Sequence, residues 1–188
     1  VAVPEAGDVA LVSGPGPIGL MCAQLLEASG ASTVVAGLPE DADRLTKAEE
    51  LGVTQTIEIG TDDLNAAIEE LTDGLGADLT IEAAGAAASV EQCLQAVRPT
   101  GRHVQVGLLG AELEFDVDPI VHKQIEFLGS VGHSVRTWDR VMRILHNDVV
   151  RLFDLITHQV PLEDWAEAFD ICERREGVKV LIQPSSSR

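Results

Sequence analysis

Short apolar runs alternate with amphipathic stretches along most of this chain. Residues 9–12 form an unbroken apolar run, and similar runs recur at intervals typical of strands buried on both faces of a parallel sheet. Between these runs, apolar residues recur every three or four positions, a spacing that predicts helices. The pattern predicts strands at 9–12, 33–36, 55–59, 77–83, 102–106 and 125–130, and helices at 20–28, 41–51, 62–72 and 87–97. This alternation indicates an α/β fold with a parallel sheet covered on both faces.

The last third of the chain is less regular. It predicts a short strand at 112–117, a helical turn at 119–123, helices at 135–146 and 162–174, strands at 155–160 and 178–182, and a frayed end at 184–188. We therefore expect a doubly wound Rossmann sheet of strand order 3-2-1-4-5-6 over residues 1–150, followed by a strand-helix-strand extension over residues 151–188. The ligand crevice of such a sheet lies beyond the carboxyl ends of strands one and four.

A glycine-rich turn follows the first predicted strand and leads directly into the first predicted helix. Gly14, Gly16 and Gly19 are spaced as G-x-G-x-x-G, which in this context predicts a dinucleotide-binding turn. Gly14 permits a tight turn, Gly16 lets the backbone approach a pyrophosphate, and Gly19 lets the helix lie close to the strand. Pro17 suits a first helical turn, and the free N–H groups of a helix start attract an anion. Together with Ile18, these residues are the predicted pyrophosphate site; the alternative is a plain glycine-rich turn.

Charge and composition narrow the classes of partner and compartment. The formal net charge is −18, with only three Lys among 13 basic residues, which argues against nucleic acid or an acidic membrane as a partner. An acidic, Lys-poor surface predicts a protein of a high-salt cytoplasm. The three cysteines lie far apart and predict reduced thiols in or near the core. Neither a membrane span nor a signal peptide is indicated, and the missing initiator Met suggests a piece of a longer chain.

Four segments together resemble one known family. They are the glycine turn at 14–20; Gly-Ala-Asp leading to Glu-Ala-Ala-Gly within 76–85; Val-Arg-Pro-Thr-Gly-Arg at 97–102; and the stretch 155–180, with Leu-Ile-Thr-His, Pro-Leu-Glu, Ala-Phe and Lys-Val. The chain resembles the coenzyme-binding half of the zinc-type, medium-chain alcohol dehydrogenases, above all their polyol and threonine dehydrogenase branches. The resemblance implies a domain that binds NAD or NADP and positions the nicotinamide for hydride transfer.

The zinc ligands of that family have no counterpart in this chain. The family holds its catalytic zinc in a separate N-terminal domain, with Cys, His and a Gly-His-Glu motif, whereas this chain has five scattered histidines and no cysteine cluster. We therefore expect no metal ligand, no catalytic residue and no turnover by the isolated chain. The region 155–182 is expected to expose apolar surface, pair with another chain or be poorly ordered. Full burial of Ile156, Phe169 and Leu181 would refute that expectation.

The position that reads the adenosine ribose lacks its usual acid. NAD enzymes commonly place an acid at the end of strand two, where Gly37 and Leu38 stand here. Without that acid a 2′-phosphate meets less repulsion, and Arg44 is the candidate partner for it. The alternative is that Arg44 is a surface helix residue paired with Glu40 or Asp41. The balance leans slightly toward NADP, or use of both nucleotides, over strict NAD.

The resemblance implies further cofactor contacts at the ends of strands four, five and six. They are Ala83, Ala84 and Gly85, which admit the cofactor; Val106, Gly107 and Leu108, at the nicotinamide ribose; and Ser130 and Val131, at the carboxamide. Glu82, at the end of an apolar strand, is expected to be a structural hydrogen-bond acceptor rather than a base. Trp138 and Trp165 are expected to pack on helices or to serve a subunit contact.

The main hypothesis is an NAD(P)-binding domain of a zinc-dependent alcohol or polyol dehydrogenase, with zinc held only in the other domain. Two alternatives stay open. One is a stand-alone dinucleotide-binding or redox-sensing module without catalysis, and the other is a zinc-independent, quinone-reductase-type member of the same superfamily. The resemblance also implies a homo-oligomer that forms by extending the sheet at strand six.

Overall fold

A computed structural model of the chain describes residues 1–112 and 114–184. Its main sheet has six parallel strands in the order β3-β2-β1-β4-β5-β6. The strands are β1 (Val9–Ser13), β2 (Ser32–Gly37), β3 (Gln55–Glu58), β4 (Ala77–Glu82), β5 (Val97–Gln105) and β6 (Glu126–Gly129). The helices are α1 (Pro17–Ala28), α2 (Ala42–Glu50), α3 (Leu64–Leu71), α4 (Ala87–Ala96), α5 (Asp118–His122), α6 (Val135–His146) and α7 (Trp165–Glu173). The predicted Rossmann topology and strand order are confirmed.

Alternate residues of the central strand β1 enter two different cores. Ala10 and Val12 pack with α1 and α2 on one face of the sheet, whereas Leu11 packs with α3 and α4 on the other. All five residues of β1 are buried. Because side chains alternate across a strand, an unbroken apolar run is what a strand covered on both faces requires.

The starts of β5 and α3 differ from the sequence prediction. Residues 99–101, which the prediction leaves between a helix at 87–97 and a strand at 102–106, lie inside β5, where the register jumps between the pairs Ala77–Val97 and Leu79–Arg102. The extra residues form an irregularity of the β-bulge kind, which a periodicity argument does not detect. Helix α3 begins at Leu64 rather than at the predicted residue 62, and the carboxylate of its cap, Asp63, accepts from the Ala66 N–H at 3.1 Å.

The irregular segment before α5 contains no strand among its described residues. The predicted strand at 112–117 is wrong for residues 112 and 114–117, and residue 113 lies outside the described part of the chain. The predicted frayed end at 184–188 likewise lies outside the described residues from 185 onward. Within the described residues, no helix is long and apolar enough to cross a bilayer.

The C-terminal extension forms a second, two-stranded parallel sheet. It consists of β7 (Ile156–Pro161) and β8 (Lys179–Gln183), connected through α7, which confirms the predicted strand-helix-strand unit. Leu155 and Val178 join the core beneath α1 and α2, so the unit is anchored on the main sheet. Its outer side stays open: Phe169 is 59% exposed, and Ile156 and Leu181 are half-buried.

Both tryptophans lie at the surface. Trp138 on α6 and Trp165 on α7 are more than half exposed. Trp138 makes an edge contact with the His133 ring, and Trp165 makes one with Phe169. The expectation that they pack is met only by these ring contacts. A subunit contact stays a prediction.

Candidate functional site

A cleft of about 420 Å³ opens at the carboxyl ends of β1, β2 and β4. This is the point where the strand order reverses direction, and it is where ligands bind in open α/β sheets. Of the predicted residues, seven line the cleft: Gly14, Gly16, Gly37, Leu38, Arg44, Ala83 and Ala84. Its volume is typical of sites for small molecules and cofactors.

The glycine turn is shaped by two close backbone approaches. Gly14 has φ +104°, and a Cβ atom there would stand 2.7 Å from the Ala84 nitrogen. A Cβ atom on Gly19 would stand 2.0 Å from the Gly14 carbonyl oxygen, so only glycine lets α1 lie this close to the strand. Gly16 differs, because no atom lies within 4 Å of its Cβ position. A side chain there would occupy open cleft space, which is the space that a bound pyrophosphate needs.

The first turn of α1 presents free backbone donors beside the glycine turn. Gly16 caps the helix without a side-chain hydrogen bond, and the first turn carries no acidic residue. Pro17 has no N–H, and the N–H groups of Ile18 and Gly19 have no hydrogen-bond partner among the described residues. Such donors, with the positive end of the helix dipole, favour an anion. The chain therefore offers a cradle that fits a dinucleotide pyrophosphate.

Glu82 holds the turn that forms the cleft floor after β4. Its carboxylate is fully buried and accepts hydrogen bonds from the N–H groups of Ala84 at 2.9 Å and Gly85 at 2.7 Å. The Gln105 amide donates to the same carboxylate and to the Gly107 carbonyl. The prediction that Glu82 is a structural acceptor is confirmed. A buried carboxylate needs such partners, and they fix the backbone just after β4 and just after β5.

A buried polar chain continues from Glu82 into the sheet. The His103 ring lies between Thr80, with Nδ1 at 2.9 Å from the hydroxyl oxygen, and the Gln105 side-chain oxygen, with Nε2 at 3.3 Å. Burial lowers the pKa of His103, and the Gln105 hydrogen bond and the Glu82 charge partly oppose this. Burial, with a smaller contribution from Glu82, raises the pKa of the Cys93 thiol. Burial therefore favours the neutral form of both groups.

Arg44 lies in the wall of the cleft, and its guanidinium is hydrogen-bonded. Nε and one terminal nitrogen donate to the Gly177 carbonyl, at 3.1 and 2.9 Å. The other terminal nitrogen lies 3.2 Å from the carboxylate of Asp41. The alternative of an Arg44–Asp41 pair is therefore what the structure contains. The extra bonds to Gly177 were not predicted, because nothing local in the sequence links positions 133 residues apart.

The remaining predicted contacts lie beside the cleft or outside it. Pro17, Ile18 and Gly19 belong to the first turn of α1. The other predicted residues follow the ends of β4, β5 and β6, and the structure does not gather them into the cleft wall: Gly85, Val106, Gly107, Leu108, Ser130 and Val131. Leu108 and Val131 are strongly exposed. Gly107 is tight against the Glu82 carboxylate and the Gly85 backbone.

Several residues that line the cleft were missed by sequence reasoning. Ser13, Ala36 and Ile59 stand at strand ends beside predicted contacts, so the topology could have identified them. Cys172 and Arg175 come from the C-terminal unit, 130 or more residues along the chain from Asp41. No motif marks these two residues, and only the fold brings them to the cleft.

No cluster of three or more metal-ligating side chains occurs in the part of the chain that the structure describes. His103 is buried in the polar chain just described. His133 contacts Trp138, and His158 contacts the Thr157 hydroxyl. The described residues therefore do not fit a catalytic zinc ion.

Comparisons with known proteins agree with this geometry. Residues 17–147 match a family model described as zinc-binding dehydrogenase. The sorbitol dehydrogenase of Halalkalibacterium halodurans is 35% identical over 95% of this chain and 52% of its own length. The solved alcohol dehydrogenase TADH from Thermus sp. ATN1 is 28% identical with TM-score 0.87, over 95% of this chain and 51% of its own. The alcohol dehydrogenase rspB from E. coli CFT073, solved with NADH, is 26% identical with TM-score 0.84, over 96% of this chain and 53% of its own. This chain spans about half the length of these proteins.

Proposed function

The chain belongs to the zinc-binding dehydrogenase family, and on that premise we propose that it is the half of a nicotinamide-dependent alcohol or polyol dehydrogenase that binds NAD(P). The single observation that carries this proposal is the cradle at the start of α1. An uncapped helix start, a glycine turn and an open cleft coincide at the switch point of the sheet. Each of these features favours a phosphate-containing ligand.

The cofactor is proposed to lie along the carboxyl ends of the strands. Gly14, Gly16, Pro17, Ile18 and Gly19 hold the pyrophosphate, mainly through the backbone. Gly37 and Leu38 face the adenosine ribose. The nicotinamide half follows the strand ends past the small residues of the β4 turn, and its contacts are Ala83, Ala84, Gly85, Val106, Gly107, Leu108, Ser130 and Val131. Glu82 fixes the turn after β4, and the small residues of that turn leave room for the cofactor.

The chemistry proposed for the whole enzyme is a hydride transfer between nicotinamide and the carbinol carbon of an alcohol or ketone. The residues of this chain bind and orient the cofactor, and the described part of the chain carries no metal-ligand cluster. The zinc and the substrate contacts are therefore assigned to the rest of the enzyme. The chain alone is expected to bind nucleotide without turning over substrate.

A thermal-shift titration with NAD and NADP tests the proposal directly. The measurement is made in about 2 M KCl, because the net charge of −18 makes screening important for the folded state. A nucleotide at 100 times its dissociation constant adds about 2.7 kcal/mol, which raises the midpoint by about 5–10 °C for a chain of this size. Gly16→Ala is the matched control, because its methyl group meets no protein atom within 4 Å yet enters the cleft.

The expected result is a midpoint rise in the wild type and little or none in Gly16→Ala, each measured against the same protein without nucleotide. Labelling of Cys172 gives a second measure, since this cysteine is exposed and lines the cleft, whereas Cys93 is buried. Nucleotide should slow the reaction of Cys172 with a maleimide. Equal behaviour of wild type and Gly16→Ala in both measurements would contradict the proposed site.

A homo-oligomer that forms along β6 stays part of the proposal. β6 is an edge strand of the main sheet and has no fully buried residue. An edge strand presents unpaired backbone groups, and a second copy can pair with them. Sedimentation of the chain at several concentrations measures this association.

A further inference from the structure

Four charged side chains gather at the adenosine end of the cleft, just after β2. Asp41 is the buried member, with a side chain that is only 8% exposed. One of its carboxylate oxygens accepts from Arg44 at 3.2 Å, and the other accepts from the Leu38 N–H at 3.3 Å. Arg175, from the end of α7, places a guanidinium nitrogen 3.7 Å from Asp41 and 3.7 Å from Glu40. Because Gly37 ends β2 and Leu38 follows it, this cluster lies where the adenosine ribose is read.

The two arginines of this cluster are held very differently. Arg44 donates two hydrogen bonds to the Gly177 carbonyl and one to Asp41, and its side chain is 16% exposed. It is fixed in the wall. The guanidinium of Arg175 makes no hydrogen bond among the described residues, and its side chain is 46% exposed. Its donors are available to a ligand that enters the cleft.

The carboxylates of Asp41 and Glu40 do not prevent an anion from binding beside Arg175. Gly37 offers no acid at the usual ribose position. The charge of Asp41 is already shared by Arg44, Arg175 and the Leu38 N–H, and Glu40 is a largely exposed residue whose interactions solvent screens. A planar guanidinium binds phosphate through two parallel hydrogen bonds.

We propose that Arg175, supplied by the C-terminal unit, binds the 2′-phosphate of NADP and gives this chain a preference for NADP over NAD. The inference rests on the proposed function of the cleft. It replaces Arg44 as the phosphate-binding arginine, since Arg44 serves instead to tie α2 to the C-terminal unit. It also makes residues outside the glycine-turn region decide which nucleotide binds.

Direct binding measurements with both nucleotides test the proposal. The dissociation constants of NAD and NADP are measured by calorimetry for the wild type, Arg175→Gln, Arg175→Lys and Arg174→Gln. Arg174 is the matched control, because it is the adjacent residue, it hydrogen-bonds Glu176 at 2.7 and 3.0 Å, and it does not line the cleft. Unfolding midpoints of all four proteins are compared first, and the exposed position of Arg175 predicts that they agree.

The wild type is expected to bind NADP more tightly than NAD. Arg175→Gln should weaken NADP binding by about tenfold or more, the size of a lost charge-assisted pair, and change NAD binding by less than about twofold. Arg175→Lys should fall between, because it keeps the charge and loses the fork. Arg174→Gln should change neither constant. The salt dependence of NADP binding should exceed that of NAD in the wild type, and this excess should vanish in Arg175→Gln.

Three outcomes would overturn the assignment. The first is a wild type that binds NAD more tightly than NADP. The second is an Arg175→Gln variant that binds both nucleotides as the wild type does, and the third is an equal loss of both nucleotides. In each of these cases nucleotide still binds the wild type, so the proposed function survives. If neither nucleotide binds the wild type, the proposed function fails together with the assignment of Arg175.

Discussion

The centre of the main sheet and its β6 side differ in how deeply their residues are buried. Every residue of β1 is buried, and its neighbour β4 is buried except at one half-buried position. At the other side, neither β6 nor α6 contains a fully buried residue. Val135, Trp138 and Met142 are spaced as one face of α6, and all three are exposed. The apolar side chains at the centre of the sheet are covered by this chain's own helices, whereas the β6 side leaves apolar side chains exposed.

The difference follows from where each region finds its cover. β1 lies between four helices that this chain supplies, so its apolar side chains leave water on folding. An exposed apolar face on a helix usually marks a surface that contacts other protein. The chain spans about half the length of its relatives, and contact of this side with more protein is therefore a prediction that can be tested.

The largest expected effect is that of Gly19→Ala, which tests the close packing of α1 on β1 at the centre of the sheet. The added methyl group would stand 2.0 Å from the Gly14 carbonyl oxygen, so α1 must move away from β1. We expect a loss of about 3 kcal/mol or more in the free energy of unfolding, at the upper end of overpacking effects. Chemical denaturation measures it. Gly16→Ala is the control and should cost only about 1 kcal/mol or less, through a weaker helix cap; equal losses in the two variants would contradict the close approach at Gly19.

The next test compares a buried and an exposed residue of the C-terminal region. Leu155→Ala removes a side chain that is 2% exposed in the main core, and we expect a loss of about 2–5 kcal/mol. Phe169→Ala changes a side chain that is 59% exposed, and we expect a change of less than about 1 kcal/mol. Denaturant midpoints measure both. If Phe169→Ala and Leu155→Ala destabilised the isolated chain equally, the outer side of the C-terminal unit would not be open to solvent as the structure has it.

The smallest expected effect concerns the buried polar chain. Burial lowers the pKa of His103 below its usual range, so the unfolded chain binds a proton more readily than the folded chain. Above about pH 6.5, the usual histidine pKa, His103 is neutral in both states and does not lower the free energy of unfolding. As the pH falls from there toward the lowered pKa of the folded state, the free energy of unfolding decreases by up to about 1.4 kcal/mol per pH unit. We expect His103→Gln to flatten the stability profile as the pH falls from 7 to 5. His146→Gln, at an exposed histidine, should keep the wild-type slope; a parallel profile for His103→Gln would remove His103 as its cause.

Much of the fold and the centre of the cleft could be predicted because their signals are local. The run at 9–12, the spacing of Gly14, Gly16 and Gly19, and Pro17 at the helix start each act on neighbouring residues. Their consequences, a buried strand, a tight turn and an uncapped helix, therefore follow from short stretches of sequence. The role of Glu82 was also readable, since a carboxylate at the end of an apolar strand must accept hydrogen bonds.

Other features were misjudged because they depend on distant partners. The pairing of Val97 with Ala77 makes β5 begin five residues before the predicted strand at 102–106, and only the neighbouring strand reveals it. Arg44 has no sequence feature that indicates its bonds to the Gly177 carbonyl. The irregular segment at 114–117 alternates in polarity like a strand, but it pairs with no strand in the described chain.

The sequence by itself determined the alternation of strands and helices, the glycine turn and the absence of an acid at the end of β2. These are set by periodicity and by the steric needs of single residues, which act over a few positions. Only the tertiary structure decided that Arg44 hydrogen-bonds the Gly177 carbonyl in the cleft wall and that Cys172 and Arg175 line the cleft. The physical reason is that hydrogen bonds and charge pairs depend on distance in space, and the anchoring of the C-terminal unit on the main core brings Arg175 within 3.7 Å of Asp41.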